Sequence, residues 1–85
     1  MNKKDDLLVT FGEQLKNFRK EQNISQEELA YRTGLDRTYI SGLECGKRNP
    51  TLKILVKLAH SLKMSPCDLL KNLHLIAEAL YAKNT

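Results

Sequence analysis

Apolar residues recur along most of the chain at helical spacing. Leu8, Phe11, Leu15 and Phe18 are separated by three, four and three positions, which lines one face of a helix from about Asp6 to Gln22. Asn23 ends that helix. Ser25-Gln26-Glu27-Glu28 has the form of a capping box, in which the serine hydroxyl accepts from the Glu28 N–H and the Glu28 carboxylate reaches back to the N–H of Ser25. A short second helix then runs to Thr33 with Leu29 and Ala30 inward, and Gly34 ends it as a left-handed cap. Asp36 is the expected N-cap of a third helix, Arg37 to about Cys45, with Ile40 and Leu43 inward. Gly46-Lys47-Arg48-Asn49-Pro50 is a polar loop holding a glycine and a proline. Thr51 caps a fourth helix on which Leu52, Leu55, Leu58, Ala59 and Leu62 share one side. Ser65-Pro66-Cys67-Asp68 opens a fifth helix, with proline in its first turn, that runs to about Ala82. No stretch asks for a strand. The pattern predicts an all-α fold: one compact five-helix domain over residues 1–85 with short loops.

Size and charge narrow the possibilities. A chain of 85 residues buries only roughly 60–65% of its unfolded surface, enough for a core but not for a deep substrate cavity. No cofactor and no small-molecule effector are expected. No run of about 18 apolar residues exists to cross a membrane. The first six residues, Met1-Asn2-Lys3-Lys4-Asp5-Asp6, turn acidic after two lysines, so no secretory leader is expected and the location is read as cytoplasmic. Cys45 and Cys67 form no CxxC motif and make no ligand spacing with His60 or His74, so both are read as reduced thiols and no metal is expected. No nucleophile–base pair or set of paired carboxylates suggests an enzyme. Fourteen basic against ten acidic residues give a net charge of +4, which suits a polyanionic partner. Residues 25–50 carry four charges of each sign, so contact there must come from placement rather than bulk charge.

That middle segment is the informative one. Two short capped helices flank a tight turn containing Gly34, with Ala30 four residues before the glycine and Leu35 just after it. This is a helix-turn-helix arrangement. The alanine permits close helix approach, and the glycine supplies the positive φ of the turn. Leu35, Ile40 and Leu43 pin the second helix so that its other face points outward, where it can enter a major groove about 12 Å wide.

The chain resembles the Cro/repressor-type (XRE) helix-turn-helix regulators of bacteria and their phages over about residues 10–70. The residues that carry the resemblance are Phe11, Leu15, Arg19, the run from Ile24 to Ala30, Gly34-Leu35, Ile40-Ser41, Leu43-Glu44, Gly46-Lys47, and Leu58-Ala59 with Pro66. Within that family the run from Leu35 to Glu44 looks most like the controller proteins of restriction–modification systems. The resemblance implies a lambda-repressor-like DNA-binding fold and a transcriptional regulator that binds operators near its own gene, activating at one site and repressing when an adjacent site fills. It also implies a salt bridge between Arg19 and Glu44 that orients the third helix, and a contact of Gln26 with the DNA backbone. An antitoxin-type or phage-type repressor that also binds a protein partner is the alternative.

On this reading Arg37, Thr38, Tyr39 and Ser41 are the base-reading residues. Arginine matches guanine O6 and N7 with two donors, worth about 1–3 kcal/mol of discrimination. Thr38 offers a hydroxyl and a methyl. Tyr39 either lays its ring on a sugar or base step or packs it against the second helix. Gly42 has no side chain at a position where such helices often carry a reading residue. Gln26 stands at the start of the second helix, where free N–H groups favour a phosphate. Lys47, Arg48 and Asn49 are expected on the phosphate backbone, with the minor groove an option for Arg48. In the last helix, residues 66–82, Leu69, Leu70, Leu73, Ile76, Ala77, Leu80 and Tyr81 form an apolar stripe. The first two or three suffice to close a core against the first and fourth helices, and the later ones exceed what a small monomer needs. Leu69, Leu73, Ile76 and Leu80 are the interface residues expected from it. It is expected to pair two copies into a homodimer on a near-palindromic site in double-stranded DNA. Folding of residues 76–85 back over the first helix, near Leu7 and Leu8, is the other account of that stripe.

Overall fold

The computed structural model describes residues 6–82. The chain's first five and last three residues lie outside that span, and with them most of the segment read for a leader and the end of the segment read as folding back. The described residues form six helices and no strand: α1 Asp6–Glu21, α2 Gln26–Thr33, α3 Arg37–Glu44, α4 Leu52–Ser61, α5 Pro66–Leu69 and α6 Leu73–Tyr81.

The local signals act much as their chemistry requires. Asn23 ends α1 in the left-handed region at φ 58°. Ser25 Oγ accepts from the Glu28 N–H at 3.0 Å. The capping box closes on that side only, because the Glu28 carboxylate accepts instead from Arg32 Nε at 2.9 Å. Gly34 adopts φ 73° and donates its N–H to the Ala30 carbonyl. Thr33, the last residue of α2, donates its hydroxyl to the Leu29 carbonyl at 2.8 Å and accepts from the Leu35 N–H at 3.2 Å. These bonds fix the turn between α2 and α3 from both sides. Asp36 takes the extended N-cap conformation of α3, but its side chain makes no capping bond. Thr51 caps α4 through the Ile54 N–H.

Leu15, Leu29, Ile40, Leu43, Leu58, Leu62 and Leu69 are fully buried and form the centre of the core, with Phe11, Ile24, Ala30 and Ala59 around them. α1 packs on α3, α5 and α6, and α2 packs on α3 and α4. Leu52 departs from the expected stripe on α4: it is 74% exposed at the first position of the helix. The neighbours of α4 cover Leu58, Ala59 and Leu62 and leave that first position bare.

The expected single C-terminal helix over 66–82 is two helices. α5 has four residues and stops at Leu70, and Asn72 sits in the left-handed region at φ 72° before α6 begins. Asparagine adopts that conformation more readily than other residues with side chains. The break separates the facing of the two segments. Leu69 turns wholly into the core, while α6 packs along α1 with Leu73 and Ile76 half-buried. Leu69 therefore has no surface to give a second copy, which corrects its place in the expected dimer stripe. Leu75, absent from that stripe, is 58% exposed on α6, and Leu80 and Tyr81 are exposed farther along the helix.

Candidate nucleic-acid interface

The outward face of α3 rests on a buried polar network. Arg19, on α1, donates from Nε to Glu44 Oε2 at 2.6 Å and from Nη2 to Glu44 Oε1 at 3.0 Å. Its Nη1 donates to the Ile24 carbonyl at 2.8 Å. Gln26 Nε2 donates to the same Glu44 Oε1 at 3.0 Å. One carboxylate at the end of α3 thus ties down α1 and the first residue of α2. The side chains of Arg19 and Glu44 are only 9% and 2% exposed. Hydrogen bonding to Glu44 raises the Arg19 pKa above its already high ordinary value, against the opposing effect of burial. The geometry is the paired, bidentate kind in which arginine is strongest.

Gly12 makes this approach possible and carried no signal in the hydrophobic pattern. A Cβ there would lie 2.3 Å from the Leu43 carbonyl oxygen and 2.7 Å from that of Glu44. The backbones of α1 and α3 meet at that point. A glycine inside a helix costs stability, so one at an interior position marks a packing constraint.

Arg37 and Thr38, in the first turn of α3, are exposed, while Ser41 is half-buried. Tyr39 is half-buried and packs against the core. Part of its surface packs inward, as the packing account expects, and part stays open beside the first turn of α3. A shallow cleft of about 270 Å³ opens beside α3, lined by Thr38, Ser41, Gly42, Cys45, Lys47 and Arg48. The fold brings Lys47 and Arg48 from the following loop against the hydroxyl-bearing face of the helix. Arg37 stands outside this cleft, and Asn49 lines a different, apolar pocket with Leu8, Phe11 and Pro50 among others. Gln26 is half-buried at the start of α2, with one of its two amide hydrogens engaged by Glu44 and one left for another acceptor.

Among the described residues no helix is long and apolar enough to cross a membrane, and no three His, Cys, Asp or Glu side chains stand together as a metal site. Two short helices joined by a glycine turn, the second presented outward on a braced scaffold, define a helix-turn-helix protein. The chain belongs to the helix-turn-helix family whose model matches residues 15–69, and its relatives include control proteins and, among solved structures, restriction–modification controller proteins. The control protein C.MunI from Mycoplasma sp is 40% identical over 70 residues, covering 81% of this chain and 95% of its own. The crystal structure of the controller protein C.AhdI from Aeromonas hydrophila superposes with a TM-score of 0.72 at 45% identity, over 73% of this chain and 94% of that one. The controller protein C.Esp1396I, solved as a tetramer in complex with its natural 35 base-pair operator, superposes with a TM-score of 0.73 at 39% identity, over 89% of this chain and 97% of that one.

Proposed function

We propose that this protein is a sequence-specific DNA-binding regulator of transcription, a restriction–modification controller that acts on its own operon in the cytoplasm and carries out no catalysis. The observation that carries the reading is the exposed first turn of α3, with Arg37 and Thr38 outward while Ile40, Leu43 and Glu44 anchor the opposite face. Family membership and the operator complex of C.Esp1396I support it. Arg37 reads a guanine edge, Thr38 and Ser41 contact neighbouring groups in the groove, and Gln26 and Lys47 hold phosphates.

In-vitro selection of bound DNA tests this directly. The recovered sequences should contain a two-fold repeat with half-sites about one helical turn apart. Arg37→Ala should erase the preference at one position in each half-site, costing about 1–3 kcal/mol per half-site at the preferred base. Lys47→Ala should instead weaken all sequences alike and lower the salt slope by about one ion per half-site. A consensus unchanged by Arg37→Ala would overturn the assignment of α3 as the reading element.

The protein works as a homodimer paired through α6. A single helix-turn-helix spans too few base pairs for selectivity, and pairing places two α3 helices about 34 Å apart. α6 leaves Leu75, Leu80 and Tyr81 exposed even after packing on α1. Sedimentation equilibrium should give a dimer, and Leu75→Glu with Leu80→Glu should give a folded monomer with unchanged helical content. A variant that stayed dimeric would move the interface elsewhere, for example to the exposed Leu52 and Val56 of α4.

A further inference from the structure

Gly42 lies on the same face of α3 as Arg37, Thr38 and Ser41, opposite the buried Ile40 and Leu43. It puts no side chain there, yet the space is not empty. A Cβ built on Gly42 would lie 2.9 Å from Arg48 Cγ, 3.3 Å from its Nε and 3.7 Å from its Cδ. The Arg48 stem runs across the helix at the position where Gly42 has nothing.

The loop is built to deliver it there. Gly46 turns the chain in the left-handed region at φ 75°, and the Lys47 N–H donates to the Gly42 carbonyl at 2.9 Å. That bond pins the loop to the helix one residue before Arg48. The arginine shares its cleft with Thr38 and Ser41, both on the reading face. It is exposed, and no ion pair ties its guanidinium to a carboxylate among the described residues.

We infer that Arg48 is a base-reading residue of the recognition surface, lent to α3 by the loop through the gap at Gly42, with a guanine edge in the major groove as its ligand. Gly42 is its positioning residue. The inference rests on the reading of α3 as the DNA-facing helix, and it moves Arg48 from the phosphate backbone to the bases. A guanidinium carried along the helix face reaches the same base edges as the helix's own side chains. Its two parallel donors match guanine O6 and N7, a match an ammonium does not reproduce.

The whole 85-residue chain, carried through selection of bound duplexes at fixed salt, tests the assignment. Arg48→Ala should lose a guanine preference of about 5- to 150-fold at one position per half-site, distinct from the position lost in Arg37→Ala. Arg48→Lys, which keeps charge and most of the stem, should lose the same preference. Gly42→Ala should lose it too, because the new methyl displaces the Arg48 stem. Alanine favours helix over glycine, so unfolding would not explain that loss, and thermal melting checks it. The double variant Gly42→Ala, Arg48→Ala should show the same consensus as Arg48→Ala alone. If Arg48→Ala weakens every sequence equally and Arg48→Lys restores binding, Arg48 is a phosphate contact and the inference fails. If Gly42→Ala leaves the preference intact while Arg48→Ala removes it, the positioning role fails. If Arg37→Ala also leaves the consensus untouched, the reading of α3 fails, which is a separate outcome.

Discussion

Glu44→Ala should destabilise the protein by about 3–5 kcal/mol, because it leaves the Arg19 guanidinium buried without its counter-charge. Both partners are almost wholly covered, so solvent screening does little to reduce the effect. The substitution also takes the acceptor from Gln26 and leaves only the Ile24 carbonyl for Arg19. Urea unfolding followed by circular dichroism measures the change, and for a domain of this size Tm should fall by more than about 12 °C. Replacing both Arg19 and Glu44 with methionine should cost much less than Glu44→Ala, since no buried charge is then orphaned. A loss below about 1 kcal/mol for Glu44→Ala would show that water reaches the pair. The double methionine variant separates stability from function. If the network chiefly orients α3, that variant folds but binds operator DNA more weakly than the parent.

Gly12→Ala should be costly for a different reason. Its Cβ would meet two backbone carbonyl oxygens of α3, at 2.3 and 2.7 Å. Backbone cannot rotate away as a side chain can, so α1 and α3 must separate. Overpacking typically costs about 1–3 kcal/mol, and contact with rigid backbone places this case at or above the upper end. The loss opposes the gain that alanine brings to a helix, about 0.5–1 kcal/mol. The measured sign therefore discriminates cleanly. A stabilised Gly12→Ala protein would mean that the close α1–α3 approach does not exist. Because the clash falls on Leu43 and Glu44, DNA affinity should drop along with stability.

Much of this is legible in the order of residues alone. Ser25, Gly34 and Thr51 act at helix ends through bonds between neighbours in sequence, so their roles follow from residue type and position. Leu29, Ile40, Leu43, Leu58 and Leu62 are buried as helical spacing requires. Other features depend on what lies across space. Leu52 has the right spacing for the core, but among the described residues it stays 74% exposed. Asn72 interrupts a continuous apolar stripe, and beyond it α6 lies against α1. Leu69 and Leu80 look alike in the sequence, yet one is wholly buried and the other is exposed. Tyr39 is half-buried against the core, a packing that its position in the sequence leaves open.

The amino-acid order alone determined an all-helical chain, its helix-turn-helix and the outward-facing Arg37, because these rest on periodicity and on bonds a few residues long. Only the tertiary structure decided that Gly12 lets two backbones meet, that Gln26 joins the Arg19–Glu44 pair, and that Arg48 fills the space at Gly42. Those contacts join residues distant in the chain, and their distances are set by how the helices settle together rather than by any local preference.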